Sequence, residues 1–349
     1  MGMGVFCSYD RAGSRRGSRF GSGVRRAIPR PPGATEPLDR ESDLDAVPTT
    51  TAAAEVGAGQ GLLTGAGKVE RMALKTALTL GYSPCPNDTL IFYALAHGRV
   101  GAGFEWRVRL DDVEALNRSA LRREIDLVKV SYHAYGHLAD SYVMLASGGA
   151  LGHGVGPLIV TRDPLEDLSG RRVATPGGLT TAQLLLRLSQ PPEIELVQLR
   201  YDTIMAAVAK GQVDAGLIIH ESRFTYPHFG LHKHLDLGEW WEGETGRPLP
   251  LGGIAARRSL GQPLLEELQG VVRESLEYGL SNRAEAEPYI AEHAQELSPE
   301  VRQRHIDLYV NEFSLELGPG GREACQALLG LAARSGLIPP LREELFLAG

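Results

Sequence analysis

Between residues 75 and 219 the chain alternates short apolar runs with helix-patterned segments, and no other feature narrows its fold so far. The runs at 75–82, 104–110, 127–131, 142–146, 155–161, 172–175, 193–198 and 215–219 alternate with period two or are apolar throughout, and read as strands. The segments at 88–97, 113–123, 133–139, 181–189 and 204–210 read as helices. Such alternation implies βαβ units, parallel sheets and helices on both sheet faces. One more strand is expected at 251–256. From 263 onward the chain reads almost entirely as helix, at 263–280, 284–294, 299–310 and 322–335.

Two apolar stretches rich in Gly and Pro, 154–161 and 248–256, divide this pattern. They predict an α/β protein of two lobes joined by two hinge crossings. The first lobe begins with 73–160, the second occupies 161–250, and 251–349 returns to the first as its helical C-terminal part. With 349 residues the chain is long enough for two lobes with cores of their own. A cleft between hinged lobes is a natural ligand site.

Residues 1–72 differ from the rest. They are rich in Gly, Pro, Ser, Ala, Arg and Thr and show no apolar periodicity, so a disordered extension is expected. The arginine- and serine-rich, acid-poor leader also has the composition of an organellar transit peptide. The reading the sequence favours is a gene-start artefact with translation beginning at Met72, because patterned sequence starts immediately after that residue.

Composition then removes whole classes of function. A net charge of −7, with no basic stripe interleaved with aromatics in the globular part, argues against a nucleic-acid partner. No uninterrupted apolar run approaches the roughly 20 residues of a membrane helix. The three cysteines are widely spaced and no CxxC occurs, which suits a reducing compartment without a disulfide framework. No GxGxxG follows a strand, so no nucleotide cofactor is expected, and no GxSxG elbow occurs. His133 and His137 stand four apart, and His232 and His234 flank Lys233, but neither pair has companions at metal-ligand spacing. Nothing in the sequence fixes an oligomeric state.

What remains is polar chemistry at strand ends, where open α/β sheets bind ligands. The run Ser83-Pro84-Cys85-Pro86-Asn87-Asp88-Thr89 links the first strand to its helix. Its two prolines stiffen the turn, and Asn87 or Asp88 is available as a helix cap. Lys129-Val130-Ser131 ends the third strand, and Asn117 follows the second. Thr175-Pro176-Gly177-Gly178-Leu179-Thr180-Thr181 joins a strand to a helix. Its glycines would let backbone approach a ligand, Thr180 or Thr181 would cap, and the helix start would attract a carboxylate. His220 stands just past the strand 215–219, with a side chain able to take a proton near neutral pH. Each of these has an ordinary alternative as a cap, a tight turn or a structural histidine. Their convergence on one cleft makes that alternative weaker.

Taken together, SPCPNDT at Ser83, KVSY at Lys129, SGGALGHGVGPLIV at Ser147, TPGGLTTA at Thr175 and GLIIHESRFTYP at Gly216 resemble the 1,4-dihydroxy-6-naphthoate synthases. LGEWWEGETGRPLPLGGIAARR at Leu237 and YVNEFSLELG at Tyr309 extend the resemblance, which spans about 73–349 in order. This family belongs to the futalosine route to menaquinone and acts on cyclic dehypoxanthine futalosine. The resemblance implies a fold like the two-hinge (type II) periplasmic binding proteins and a cytoplasmic carbon–carbon lyase needing no cofactor. It implies His220 as catalytic base, with Lys129, Val130, Ser131, Thr181 and Ala182 in substrate-binding segments. Ser83, Asn87 and Asn117 join them as expected pocket residues on position alone. The implied partner is a small aromatic carboxylate. Two other readings stand beside it: chorismate dehydratase of the same pathway, which shares the fold, and a non-enzymatic binding protein for a small carboxylate. The GLIIHESRFTYP run speaks against the first, and His220 in the cleft against the second.

Overall fold

The structure, a computed structural model, describes residues 75–190, 193–295 and 298–347, all within one compact unit, Gly65–Gly349. The extension expected at 1–72 lies outside the described residues.

The first sheet is begun by β1 (Thr76–Tyr82), which leads into α1 (Pro86–Ala96). Next come β2 (Phe104–Leu110) with α2 (Val113–Leu121), and β3 (Leu127–Ser131) with the single turn α3 (Tyr132–Tyr135). β1 pairs in parallel with β2 on one side and β3 on the other. β4 (Tyr142–Met144) and β5 (Ala150–Gly152) follow, and the chain then crosses over.

The second sheet contains β6 (Leu158–Thr161), β7 (Arg172–Thr175), α4 (Thr181–Ser189), β8 (Glu195–Gln198), α5 (Ile204–Ala209) and β9 (Ala215–Ile218). It ends with the turn α6 (Ser222–Thr225), β10 (His232–Asp236) and α7 (Leu237–Thr245). Its strand order is β10-β6-β9-β7-β8. The nine-residue β11 (Leu249–Arg257) returns to the first sheet and completes the order β2-β1-β3-β11-β4, with β5 also on β11. Helices α8 (Gln262–Ser281), α9 (Arg283–His293), α10 (Pro299–Tyr309), α11 (Glu312–Leu315) and α12 (Gly318–Arg334) finish the chain.

The parallel pairing expected from the βαβ pattern holds for only part of each sheet. β11 runs antiparallel to β3, β4 and β5, and β6 runs antiparallel to β9 and β10. The antiparallel strands include the two that arrive from the other sheet. They are not delivered by a crossover helix, which is what makes sequential neighbours parallel. β5, β10 and α7 were not expected from the sequence. β10 carries His232, Lys233 and His234 at a sheet edge, where charge and polarity replace the apolar alternation of a buried strand.

The crossings are close-packed. An ideal Cβ on Gly156 would lie 2.1 Å from the backbone nitrogen of Gly238, at the start of α7. Asp236 caps α7, its Oδ1 accepting from the Gly238 amide at 2.8 Å, while its Oδ2 pairs with Arg223 at 2.8 Å. Trp241 is fully buried beside them and donates its indole N–H to the Pro248 carbonyl.

α1 is buried from Pro86 to Leu95, on every face, as a helix central to a domain must be. Pro86 occupies its first turn, where a missing N–H costs nothing. Neither Asn87 nor Asp88 caps it, contrary to one expectation. Both lie inside the helix, and the N-cap is Cys85, without a side-chain cap bond. α8 lies along α1. Ser275 donates its hydroxyl to the Ile91 carbonyl at 2.6 Å, and an ideal Cβ on Gly279 would meet the Leu90 carbonyl oxygen at 2.5 Å. Gly270, on the same helix, has nothing within 4 Å of such a Cβ. Gly279→Ala should therefore push α8 off α1 and destabilise the protein by about 1–3 kcal/mol. Gly270→Ala should be neutral or stabilise by about 0.5–1 kcal/mol through helix propensity. Thermal melts of the two variants check this, and equal melting temperatures would show that the contact yields freely.

Candidate active site

The carboxyl ends of β1, β3 and β9 face one cavity, together with the starts of α1 and α4 and one face of α10. Its walls are largely apolar, built from Val113, Val130, Val155, Ala182, Ile219 and Leu251. Four of its polar groups, Ser83, Asn87, Asp88 and Lys129, gather at one end.

Asp88 organises that end. Its Oδ1 accepts from Lys129 Nζ at 2.7 Å and from Asn87 Nδ2 at 2.9 Å, and its Oδ2 accepts from the Ser83 hydroxyl at 2.7 Å. Lys129 also donates to the Gly148 carbonyl at 3.1 Å. All four side chains are buried. A buried ion pair is tolerable when much of its remaining hydrogen-bonding capacity is also met, and here two of the three Lys129 donors and both Asp88 oxygens are engaged. The sequence marked Ser83, Asn87 and Lys129 as pocket residues but read Asp88 only as a helix cap. The signal for it was an Asn-Asp pair opening a helix that is otherwise apolar.

Ser131 lines the cavity, and Asn117 stands behind it. Asn117 donates from Nδ2 to the Ser131 hydroxyl at 3.1 Å, and its Oδ1 accepts from the Ser131 backbone amide at 2.9 Å. Asn117 was expected in the pocket because it follows a strand. It is fully buried one layer back, where it holds Ser131 in place.

The start of α4 forms the opposite side. Thr180 is the N-cap, its hydroxyl accepting from the Gln183 amide at 3.2 Å and donating to the Gly177 carbonyl at 2.9 Å. Thr181 is not the cap. Its hydroxyl donates to the Leu251 carbonyl at 2.6 Å and so ties α4 of the second sheet to β11 of the first. Thr180, Thr181 and Ala182 line the cavity, and the first amides of α4 have the free donors and positive dipole end that favour an anion. Gly177 and Gly178, expected to bring backbone to a ligand, are not among the residues that line the cavity. At Gly177, with φ of +154°, an ideal Cβ would lie 2.5 Å from Glu114 Oε2, and that same carboxylate oxygen accepts from the Leu179 amide at 3.0 Å. The missing side chain makes room for Glu114.

His220 follows β9 in left-handed backbone conformation, φ +57°. Such a conformation is uncommon outside glycine and costs strain that often accompanies a functional position. Its Nδ1 lies 3.3 Å from the Cys85 sulfur, and its ring meets Tyr201 edge-on at 5.2 Å. Burial pushes the Cys85 thiol pKa well up, so the thiol stays neutral and is a weak partner that orients the ring. His220 Nε2 has no hydrogen-bond partner among the described residues. Burial lowers the pKa of His220, with Glu221 and Asp88 opposing and Lys129 adding to the effect. The ring is therefore neutral at neutral pH and able to accept a proton.

His305 and Tyr309 also line the cavity and were missed in the sequence. They stand four apart on α10, one helical face, and that spacing was the available signal. His305 is 1% exposed and its ring stacks toward His220 at 6.3 Å. Among the described residues no group of three or more His, Cys, Asp or Glu is placed to hold a metal ion. The arrangement offers a neutral base, a fixed buried charge pair, a helix start for an anion, and an apolar slot between them.

Known proteins share this architecture. A 1,4-dihydroxy-6-naphtoate synthase from Thermus thermophilus is 54% identical over 270 residues, covering 77% of this chain and 99% of that protein. The protein of the same description from Streptomyces coelicolor is 48% identical over 269 residues, covering 76% and 95%. The crystal structure of protein AF1704 from Archaeoglobus fulgidus superposes with a TM-score of 0.72 at 37% identity, covering 75% of this chain and 98% of that one. The alkanesulfonate-binding protein SsuA from Xanthomonas axonopodis pv. citri, at 18% identity and a TM-score of 0.58 over 77% of this chain and 96% of its own, shares the fold, which is that of periplasmic binding proteins. Residues 78–334 match the family described as menaquinone biosynthesis, and the chain belongs to that family.

Proposed function

We propose that this protein is a carbon–carbon lyase that converts cyclic dehypoxanthine futalosine to 1,4-dihydroxy-6-naphthoate and releases a three-carbon fragment. The observation that carries the reading is His220: a neutral imidazole with a free ring nitrogen, at a strand end, facing a slot with a charged floor. The names of the two similar enzymes support the substrate and product. The reaction belongs to the futalosine route and runs in the cytoplasm without a cofactor.

In this reading the substrate carboxylate sits at the start of α4, near Thr181, Ala182 and Ser131. The fused ring fills the slot between Val130 and Leu251. His220 removes a proton from a hydroxyl of the sugar-derived ring, the carbon–carbon bond breaks, and aromatisation of the remaining ring drives the step. Lys129 and Asp88 act as a fixed dipole beside the reacting atoms, already oriented before charge develops. The lobes, read as 73–160 with 251–349 against 161–250, close about the two crossings and exclude water.

Incubation of the purified protein with cyclic dehypoxanthine futalosine should give the naphthoate and a three-carbon product by mass spectrometry. Chorismate should be left unchanged. Dehydration of chorismate, or binding of both without turnover, would replace this reading. His220→Asn should lower kcat by about a hundredfold to ten-thousandfold with the fold intact. A variant keeping more than about a tenth of the parent rate would remove the base role. The base must be unprotonated to act, and burial lowers its pKa. The acid limb of the kcat/KM profile should therefore fall below pH about 6.5, the ordinary histidine value, and be absent in His220→Asn. Thr181→Val should weaken substrate and product binding and lose one hydrogen bond, worth about 1 kcal/mol, without loss of the cap. A lower melting temperature with unchanged affinity would make Thr181 a tie between sheets only.

A further inference from the structure

Which nitrogen of the neutral His220 ring carries its hydrogen decides whether the ring can serve as a base. With the hydrogen on Nε2, the nitrogen without a protein partner is a donor. With it on Nδ1, that nitrogen is a bare lone pair. His220 lines the cavity and Cys85 does not, so Nδ1 is turned to the protein and Nε2 is the nitrogen left for a ligand. Tyr201, edge-on at 5.2 Å, and the left-handed backbone fix the plane of the ring. They do not choose between its two neutral forms, which differ only in where the hydrogen lies. Among the described residues the ring has one hydrogen-bonding partner, the Cys85 sulfur 3.3 Å from Nδ1. A thiol can donate or accept, so that contact alone does not choose either.

The choice is made further back. The Ser83 hydroxyl donates to Asp88 Oδ2 at 2.7 Å, and the Asp88 carboxylate, paired with Lys129, can only accept. The hydrogen of Ser83 is thereby committed, and its oxygen has only lone pairs left to offer. They are turned to Cys85. The Cys85 amide donates to Ser83 Oγ at 3.4 Å, and the Ser83 hydroxyl is also the hydrogen-bonding side-chain neighbour of the thiol. Burial, with Glu221 and Asp88 adding to it, pushes the Cys85 pKa well up, so the sulfur keeps its hydrogen. Sent to His220 Nδ1, that hydrogen would leave sulfur and Ser83 oxygen facing each other as two acceptors. Sent to Ser83 Oγ, it frees the sulfur to accept the Nδ1 hydrogen, and every group in the row is paired in one direction.

We propose that Cys85 is a positioning residue for His220: its sulfur accepts the Nδ1 hydrogen, in a sense set by Ser83 and Asp88, and leaves Nε2 bare for the substrate. The role rests on the reading of His220 as the base. No proton crosses the row. When Nε2 takes a proton, the Nδ1 hydrogen stays on the ring and the sulfur continues to accept it. A neutral sulfur fixes the hydrogen without placing a charge against the ring, so it selects the form of the base without favouring the imidazolium.

Nitrogen-15 spectra of the full-length, ligand-free protein at about pH 8, above the ordinary histidine value, read the form directly. The His220 signals are those missing from His220→Asn. The parent should show a hydrogen on Nδ1 and a bare Nε2. Cys85→Ala should move His220 toward the Nε2–H form, and Cys85→Ser, which keeps a donor and an acceptor, should restore the parent pattern. Ser83→Ala leaves the thiol in place but lets it donate to Nδ1, and should move His220 the same way as Cys85→Ala. With cyclic dehypoxanthine futalosine, Cys85→Ala should lower kcat by about five- to tenfold, the equivalent of one ordinary hydrogen bond, with KM little changed. Cys85→Ser should recover most of the rate. An Nε2–H ring in the parent overturns the proposal. So does an Nδ1–H ring that persists in Cys85→Ala and Ser83→Ala, because packing would then hold the form. A slower Cys85→Ala with unchanged spectra is a packing defect and counts against the role equally. The spectra need no substrate, so an Nδ1–H form that depends on Cys85 in a protein without turnover would place the failure in the proposed reaction and leave the hydrogen assignment standing.

Discussion

The buried pair of Asp88 and Lys129 is the interaction on which the rest of the site depends. It joins the start of α1 to β3, and through Asn87 it reaches α10. Removing one member of such a pair leaves an uncompensated charge in the interior and costs about 3–5 kcal/mol. Replacing both by apolar groups would be far less costly, so stability alone does not explain the pair. What the pair does supply is direction. Asp88 Oδ1 fixes which way Asn87 points, Asn87 fixes which nitrogen of His305 carries hydrogen, and Ser83 is held by the second carboxylate oxygen. A single carboxylate thereby sets the hydrogen-bonding sense of one whole wall.

The second sheet contributes through a different kind of contact. Thr181 donates across to Leu251, the Leu179 amide donates across to Glu114, and the Cys85 sulfur meets His220. These single polar contacts supplement an apolar cluster that runs across both sheets, from Val128 and Val130 to Val173, Leu184 and Leu217. Each is worth about 1 kcal/mol or so, an amount that thermal motion and a ligand can shift. The close backbone approach of Gly156 to Gly238 lies at a crossing instead, where side chains would block it.

Much of this was legible in the sequence because strand ends obey a simple rule. Ser83 and His220 follow apolar strands, Lys129 and Ser131 end one, the carboxyl ends all open on one side, and these residues meet in the cavity. Asn117 obeys the same rule but sits at the second turn of α2, facing inward, and sequence alone does not tell a lining residue from the one behind it. Asp88 was legible only as a helix-opening acid, because its partner Lys129 lies 41 positions away. His305 and Tyr309 were hidden for a stronger reason. The helical C-terminal part shows which face of α10 is shared, but its docking against α1 is set by tertiary packing that no local pattern records.

The division of the site between sheets has a chemical consequence. His220 comes from the second sheet, while Asp88, Lys129 and His305 belong to the first sheet and its helices. Neither sheet with its own helices holds both His220 and the groups opposite it. Opening at the crossings would separate His220 from Cys85 and from His305, and would let water solvate the imidazole and raise its pKa toward the ordinary value. Closing would restore the apolar surroundings that keep the ring neutral and remove the water that would compete for its proton. In the proposed reading, the motion that encloses the ligand would therefore also set the protonation state of His220. On the reading proposed above, a histidine at the end of β9 and a buried ion pair opposite it would couple closure to proton transfer.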